Sequence, residues 1–182
     1  MKNLKQKAGH YEIQGETIAK FEFFDHGFNP YSRYLDIEKI DLILRRRQGQ
    51  QVQYIEVQVK YGTLFNCGSK WEQLNFDLTS WRFFSLEEFS RPVSKDLFLA
   101  YVLSHPSGYK GDIFIFPVKV FQKLILASTR VQTKKGPKAR MNISHCILDD
   151  RWYLRKQNGF TELTKETVLD VTKYRRNFGL KP

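Results

Sequence analysis

The chain has 182 residues, enough for one domain to bury a core without disulfide or metal staples. Thirty Lys plus Arg against nineteen Asp plus Glu give a net charge of +11 and a pI near 9.6, which favours a polyanionic partner such as nucleic acid or an acidic membrane. Cys67 and Cys146 stand far apart, which argues against a disulfide scaffold or a paired-thiol zinc module. The first residues, MKNLKQKAGH, carry no apolar signal core, and no run is long enough to span a bilayer. A cytoplasmic protein of one domain, residues 1–182, is therefore expected.

In chain order, a helix is expected from Tyr11 to His26, closed by Gly27 in the manner of a glycine C-cap. Its period groups Gln14, Ile18, Phe21 and Asp25 on one stripe with Thr17 and Phe24 beside it. Glu12, Glu16, Ala19 and Phe23 form a flanking face, which puts Glu16 at the margin of the packed side, looking toward a sheet. Phe28 to Ile40, with Asn29-Pro30, reads as a loop or short irregular strand.

The segment Asp41 to Lys60, DLILRRRQGQQVQYIEVQVK, reads as a hairpin. Leu42 to Leu44 is a short β-type run, Gln48-Gly49-Gln50 is the turn, and Tyr54 to Lys60 alternates strictly. Successive strand side chains point to opposite faces, so Ile55, Val57 and Val59 share one side and Glu56, Gln58 and Lys60 the other. Folding about Gly49 brings Asp41 opposite the Glu56 to Gln58 region. Carboxylates, an amide and an ammonium then meet on one small surface. Arg45, Arg46 and Arg47 follow the first strand; they cannot all share one face, and they form either a phosphate-contacting edge or a charged edge that resists aggregation.

Residues 61–90 are rich in Tyr, Phe and Trp. Interleaved with Lys70 and Arg82, some of these rings could stack on bases or sugars, while core is the expected role for most. Asp96 to Val102 and Gly111 to Val120 read as strands added to the central sheet, and Phe121 to Ser128 as a short helix. From Lys123 to Arg140 the charged residues are all basic, and Gly136-Pro137 suggests a flexible loop in which Lys134, Lys135, Lys138 and Arg140 grip phosphates. Met141 to Leu148 and Arg151 to Arg155 suggest a second hairpin across Asp149-Asp150. The tail VTKYRRNF adds Arg175 and Arg176.

The order of a helix with Glu16, then His26-Gly27-Phe28, then Asp41 heading an apolar strand, then Gln58-Val59-Lys60, resembles the PD-(D/E)XK nuclease superfamily. Within it the chain is most similar to the group I intron-associated homing endonucleases, where a QVK ending occurs, and more distantly to archaeal Holliday junction resolvases. The later pieces DLFLAYV, DIFIFPV, RWYL and VTKYRRNF extend the likeness over most of the chain. The resemblance implies a restriction-endonuclease-like α/β fold: a central mixed β-sheet flanked by helices, with additional C-terminal strands. It maps the metal-binding aspartate onto Asp41, the second ligand onto Gln58, the lysine onto Lys60 and the helix glutamate onto Glu16.

Two positions depart from the pattern. Ile40 replaces the proline that shapes the loop, and Gln58 replaces an acid, lowering the charge at the metal unless Glu56 contributes. A register with Glu56 as the acid and Gln58 as the terminal residue is the alternative; the QVK register keeps a lysine in the lysine's place. The implied activity is Mg²⁺- or Mn²⁺-dependent hydrolysis of DNA. Asp41, Gln58, the Val59 carbonyl and Glu16 would supply oxygens, and Lys60 would orient water or offset phosphate charge. Double-strand cleavage would then require a homodimer or higher oligomer. The rival expectations are a nucleic-acid-binding protein that keeps this fold without catalysis, and a partner-binding protein whose basic segment meets an acidic protein.

Overall fold

A computed structural model of the chain describes residues 8–32, 39–90, 96–134 and 136–180. It is mixed α/β, dominated by strands in two sheets, with four helices among the described residues. Helix α1 (Ala8–Asp25) is followed by β1 (Asn29–Ser32), β2 (Leu42–Gln48) and the long β3 (Gln51–Thr63). Next come β4 (Phe65–Asn66), α2 (Lys70–Gln73), β5 (Phe76–Ser85), α3 (Leu86–Ser90), β6 (Leu97–His105) and β7 (Gly108–Pro117). The chain continues through α4 (Val118–Ala127), β8 (Thr129–Thr133), β9 (Gly136–Cys146), β10 (Arg151–Arg155), β11 (Val168–Asp170) and a 3₁₀ turn at Thr172–Tyr174.

Sheet A has the order β1-β2-β3-β6-β7. Only β3 and β6 run parallel, so the sheet is mixed, as expected. The parallel pair needs a crossover, and here that crossover carries β4, α2, β5 and α3. Its strands found sheet B, of order β11-β10-β9-β5-β4 with β8 also on β9, all antiparallel.

The hairpin follows the expected register. Gln48 pairs with Gln51 around a two-residue turn in which Gly49 takes φ +61°, and Leu42 pairs with Val57. Ile55, Val57 and Val59 enter the core beneath α1, with Leu42, Leu44, Phe23 and Phe28. The other face of sheet A packs against sheet B, where Leu99, Tyr101, Phe114 and Phe116 meet Met141, Ile143, Trp152 and Leu154. Gly62 permits this approach: a Cβ there would stand 3.0 Å from Ser80 Oγ of sheet B, as well as 2.6 Å from the Tyr101 hydroxyl of its own sheet.

Several expectations are corrected. The packed face of α1 is Gly15, Ala19 and Phe23, whereas Gln14, Phe21, Phe24 and Asp25 are exposed. The reason is close approach: a Cβ on Gly15 would lie 3.0 Å from the Tyr61 Cβ, so small residues mark the closest contact, Phe23 packs beside them, and Phe21 and Phe24 face out. The helix end is as read, with Gly27 at φ +81° and its N–H on the Phe24 carbonyl. The basic segment expected as a flexible loop is instead the β8–β9 hairpin, with Thr133 paired to Gly136. Val118 and Val120, read as strand, begin α4. Arg45 does not lie on an edge, because β1 covers β2 as far as Arg45, opposite Asn29.

Sheet B contains a histidine held between two carboxylates. His145 Nδ1 lies 2.8 Å from Asp77 and Nε2 2.9 Å from Asp150. Burial alone would lower its pKa, but the hydrogen bonds to Asp150 and Asp77 outweigh this and raise it above the ordinary 6.5. A raised folded pKa gives stability that is fully present below pH 6.5 and lost as pH rises through the folded value. Urea midpoints measured across this range should fall with rising pH in the wild type, and the slope should shrink in His145→Gln. Equal slopes in the two proteins would contradict the pairing.

Candidate active site

Three short arrangements on the hairpin carry the candidate chemistry. Asp41, half-buried just before β2, donates its N–H to the Val57 carbonyl, and its Oδ2 accepts the Val59 N–H at 2.5 Å. The carboxylate thus fastens the start of β2 to β3 at Val59. Gln58 is 5% exposed, and its Nε2 donates to Glu88 Oε1 of α3 at 3.3 Å. Glu88 also pairs with Lys39 at 3.3 Å. Lys60 lines a cleft of about 160 Å³ with Tyr11, Glu12, Val59, Tyr61 and Arg82. Val59 links the first arrangement to the third: its N–H holds Asp41 and its residue lines the cleft of Lys60.

Strand alternation explains the grouping. Glu56, Gln58 and Lys60 lie on the face opposite Val57 and Val59, and Glu56 is half-buried across from Ile43. The helix carboxylate that lines the Lys60 cleft is Glu12, one turn before Glu16; Glu16 is half-buried and flanks Gly15 on the packed side. Sequence reasoning missed Glu88 because it is thirty residues from Gln58 and reaches it only through the crossover. It noticed Glu12 without assigning it a role.

No family model, curated protein or solved structure matches this chain.

The expected phosphate-contacting residues divide into groups. Arg46 stands over the Phe28 ring at 4.9 Å on the α1 side of sheet A, and Arg47 donates to the Gly49 carbonyl. Arg175 bonds the buried Asp112 at 3.0 Å, and Arg176 bonds Glu22 at 3.0 Å. Both fasten the tail, whose Phe178 stacks on His26 with centroids 3.6 Å apart. Lys138 and Arg140 lie on β9, opposite Ser85 and Phe83 of β5. Lys70 begins α2 and Lys134 lies in the turn after β8, both exposed, while Lys135 lies outside the described residues.

Among the described residues no three His, Cys, Asp or Glu converge as a metal-binding group. The donors at this end of the hairpin are all oxygen: the Asp41 carboxylate, the Gln58 amide, backbone carbonyls and, beside Gln58, Glu88. Such a sparse, hard set suits Mg²⁺, which keeps several waters and needs few carboxylates.

No helix among the described residues is long and apolar enough to cross a membrane.

Proposed function

We propose that the chain is a divalent-metal-dependent endodeoxyribonuclease of restriction-endonuclease-like fold, with its site at the Asp41, Gln58 and Lys60 end of the β2–β3 hairpin. The observation that supports this reading is at Val59 of the mixed sheet, whose N–H is held by the Asp41 carboxylate and which lines the same cleft as Lys60. A strongly basic chain supports a DNA substrate.

Asp41, Gln58 and the Val59 carbonyl would hold Mg²⁺, with Glu56 and Glu16 as auxiliary carboxylates. Glu88, beside Gln58, offers the charge that the amide lacks. When bound, the ion supplies Lewis acidity toward the phosphoryl oxygen and a more acidic water. Lys60 offsets the charge that develops on the phosphate, and Arg82, in the same cleft, orients the strand. The Asp41 to Val59 hydrogen bond holds the two strand ends in register, so these groups are arranged before DNA arrives. A Mg²⁺-dependent nicking assay on supercoiled plasmid tests the reading. Activity that survives both Asp41→Ala and Lys60→Ala would overturn it.

Binding without cleavage is the competing reading, favoured by Gln58 in place of an acid. It predicts salt-sensitive DNA binding and no nicking in either Mg²⁺ or Mn²⁺.

Each such site cuts one strand, so double-strand cleavage calls for a second copy. The outer face of α1 offers the surface for it: Ile13, Phe21 and Phe24 are each more than 60% exposed. Sedimentation should report self-association that Phe21→Asp with Phe24→Asp abolishes. A monomeric wild type would remove the assignment.

A further inference from the structure

Sheet B turns one face away from sheet A, and the pairing register identifies what lies on it. Trp81 is opposite Asn142, which is opposite Arg155; Phe83 is opposite Arg140; Ser85 is opposite Lys138. Residues facing one another across strands share a face, so Trp81, Phe83, Lys138 and Arg140 stand together on the outside. Phe65, opposite Thr79, joins them from β4.

These rings are not core. Phe65 is 45%, Trp81 45% and Phe83 40% exposed, whereas the other two tryptophans are more deeply placed, Trp152 at 4% in the core and Trp71 packed against Phe160. Cations are set among them, with the Arg140 guanidinium 5.1 Å from the Trp81 ring centre. Beneath lies a second kind of signal. Asn142 is fully buried, yet neither its Nδ2 nor its Oδ1 has a hydrogen-bond partner among the described residues, and the same holds for Arg140 Nε. A buried amide without partners is costly, and Asn142 lies directly across from Trp81.

The face is also continuous with the candidate active site. A cleft of about 240 Å³ lined by Phe65, Trp81, Arg82, Tyr61 and Tyr11 adjoins the Lys60 cleft, and Tyr11, Tyr61 and Arg82 belong to both. Tyr11 stacks on Tyr61 at 5.5 Å, and Arg82 donates to the Tyr61 carbonyl, so the floor between the two clefts is tied together.

From this we infer that the Phe65, Trp81, Phe83 face is a stacking platform for unpaired bases of the DNA strand that enters the Lys60 cleft. The physical reason is access. In a duplex the flat faces of the bases are hidden by their neighbours, so exposed rings can stack only on nucleotides that are already unpaired. Aromatic rings accept any base, while Lys138 and Arg140 meet the phosphates. The substrate class is DNA with a single-stranded segment beside the cleavage point, such as a flap or gap. This inference rests on nucleic acid occupying the cleft and goes beyond it in naming the strand form.

The experiment is fluorescence-anisotropy titration of a labelled single-stranded oligonucleotide and of the matching duplex, in EDTA so that no cleavage occurs. Trp81→Ala should weaken single-strand binding roughly ten-fold or more, leave duplex binding within about two-fold, and leave the thermal midpoint near that of wild type. Trp81→Phe keeps a ring and should retain most of the single-strand affinity. The inference is overturned if Trp81→Ala binds single strands as tightly as wild type, or if Trp81→Phe and Trp81→Ala lose single-strand and duplex binding equally. A wild type that cuts no DNA but shows the Trp81-dependent preference would defeat the nuclease reading and leave the platform standing. A wild type that nicks plasmid without any Trp81-dependent preference would do the reverse.

Discussion

Asp41→Ala should lower Mg²⁺-dependent nicking by about 10³-fold, because charge stabilisation at a phosphoryl centre is worth several kcal/mol and each ~1.4 kcal/mol is a factor of ten. Alanine also removes the acceptor that holds the Val59 N–H at 2.5 Å, so some activity could be lost through structure alone. Asp41→Asn separates the two effects. It keeps an oxygen for Val59 and discards the charge, so it should remain as stable as wild type while matching the alanine variant in lost activity. Asp41→Ala should in addition lose about 1 kcal/mol of stability from the vacated hydrogen bond. Lys60→Ala should cost roughly 10²- to 10³-fold in rate with little effect on stability, as for loss of one preorganised group facing developing charge. Full activity in Asp41→Asn would show that the carboxylate is a structural clamp and nothing more.

The second large effect is on stability and lies in sheet B. Arg155 is 2% exposed, bonds Glu72 at 2.6 Å and Thr79 at 3.1 Å, and is flanked by the rings of Trp71 and Phe76 at 5.2 and 5.8 Å. Burial would raise the Glu72 pKa, but the Arg155 hydrogen bond and the Ser69 backbone contact outweigh it and hold the carboxyl below its usual range. Removing one partner of a buried pair leaves the other uncompensated, so Arg155→Ala should destabilise the fold by about 3–5 kcal/mol in urea titration. Replacing both partners with apolar residues, as in Arg155→Met with Glu72→Leu, should recover part of that loss. Because the folded pKa of Glu72 is depressed, its contribution is present above pH 4.5 and lost as pH falls through the folded value. The wild type should therefore lose more stability in acid than the double variant. A loss under about 1 kcal/mol in Arg155→Ala would mean the pair is solvated in solution.

The expected residues fared according to how local their signals were. The β2–β3 hairpin was legible because alternation and a glycine turn are properties of adjacent residues, and the observed pairing of Leu42 with Val57 follows from them. The strands around DLFLAYV and DIFIFPV were legible for the same reason. On α1 the period groups Gln14, Ile18, Phe21 and Asp25, yet the flanking face of Ala19 and Phe23 is the buried one, because close packing on Tyr61 requires Gly15. The β8–β9 hairpin was hidden by Gly136-Pro137, which opens β9 beside the turn as readily as it would sit in a loop.

Sequence alone determined the basic character of the chain, the polar face of β3 and the nearness of Asp41 to it, since charge and a period of two survive any tertiary arrangement. The crossover between β3 and β6 decided the rest. By carrying α2, α3 and β5 across the molecule it set Glu88 against Gln58 and created the second sheet. It also turned Trp81 and Phe83 outward beside Lys138 and Arg140. Contacts between residues thirty to eighty apart depend on how sheets stack and which strand lies next to which, and no local period encodes that choice.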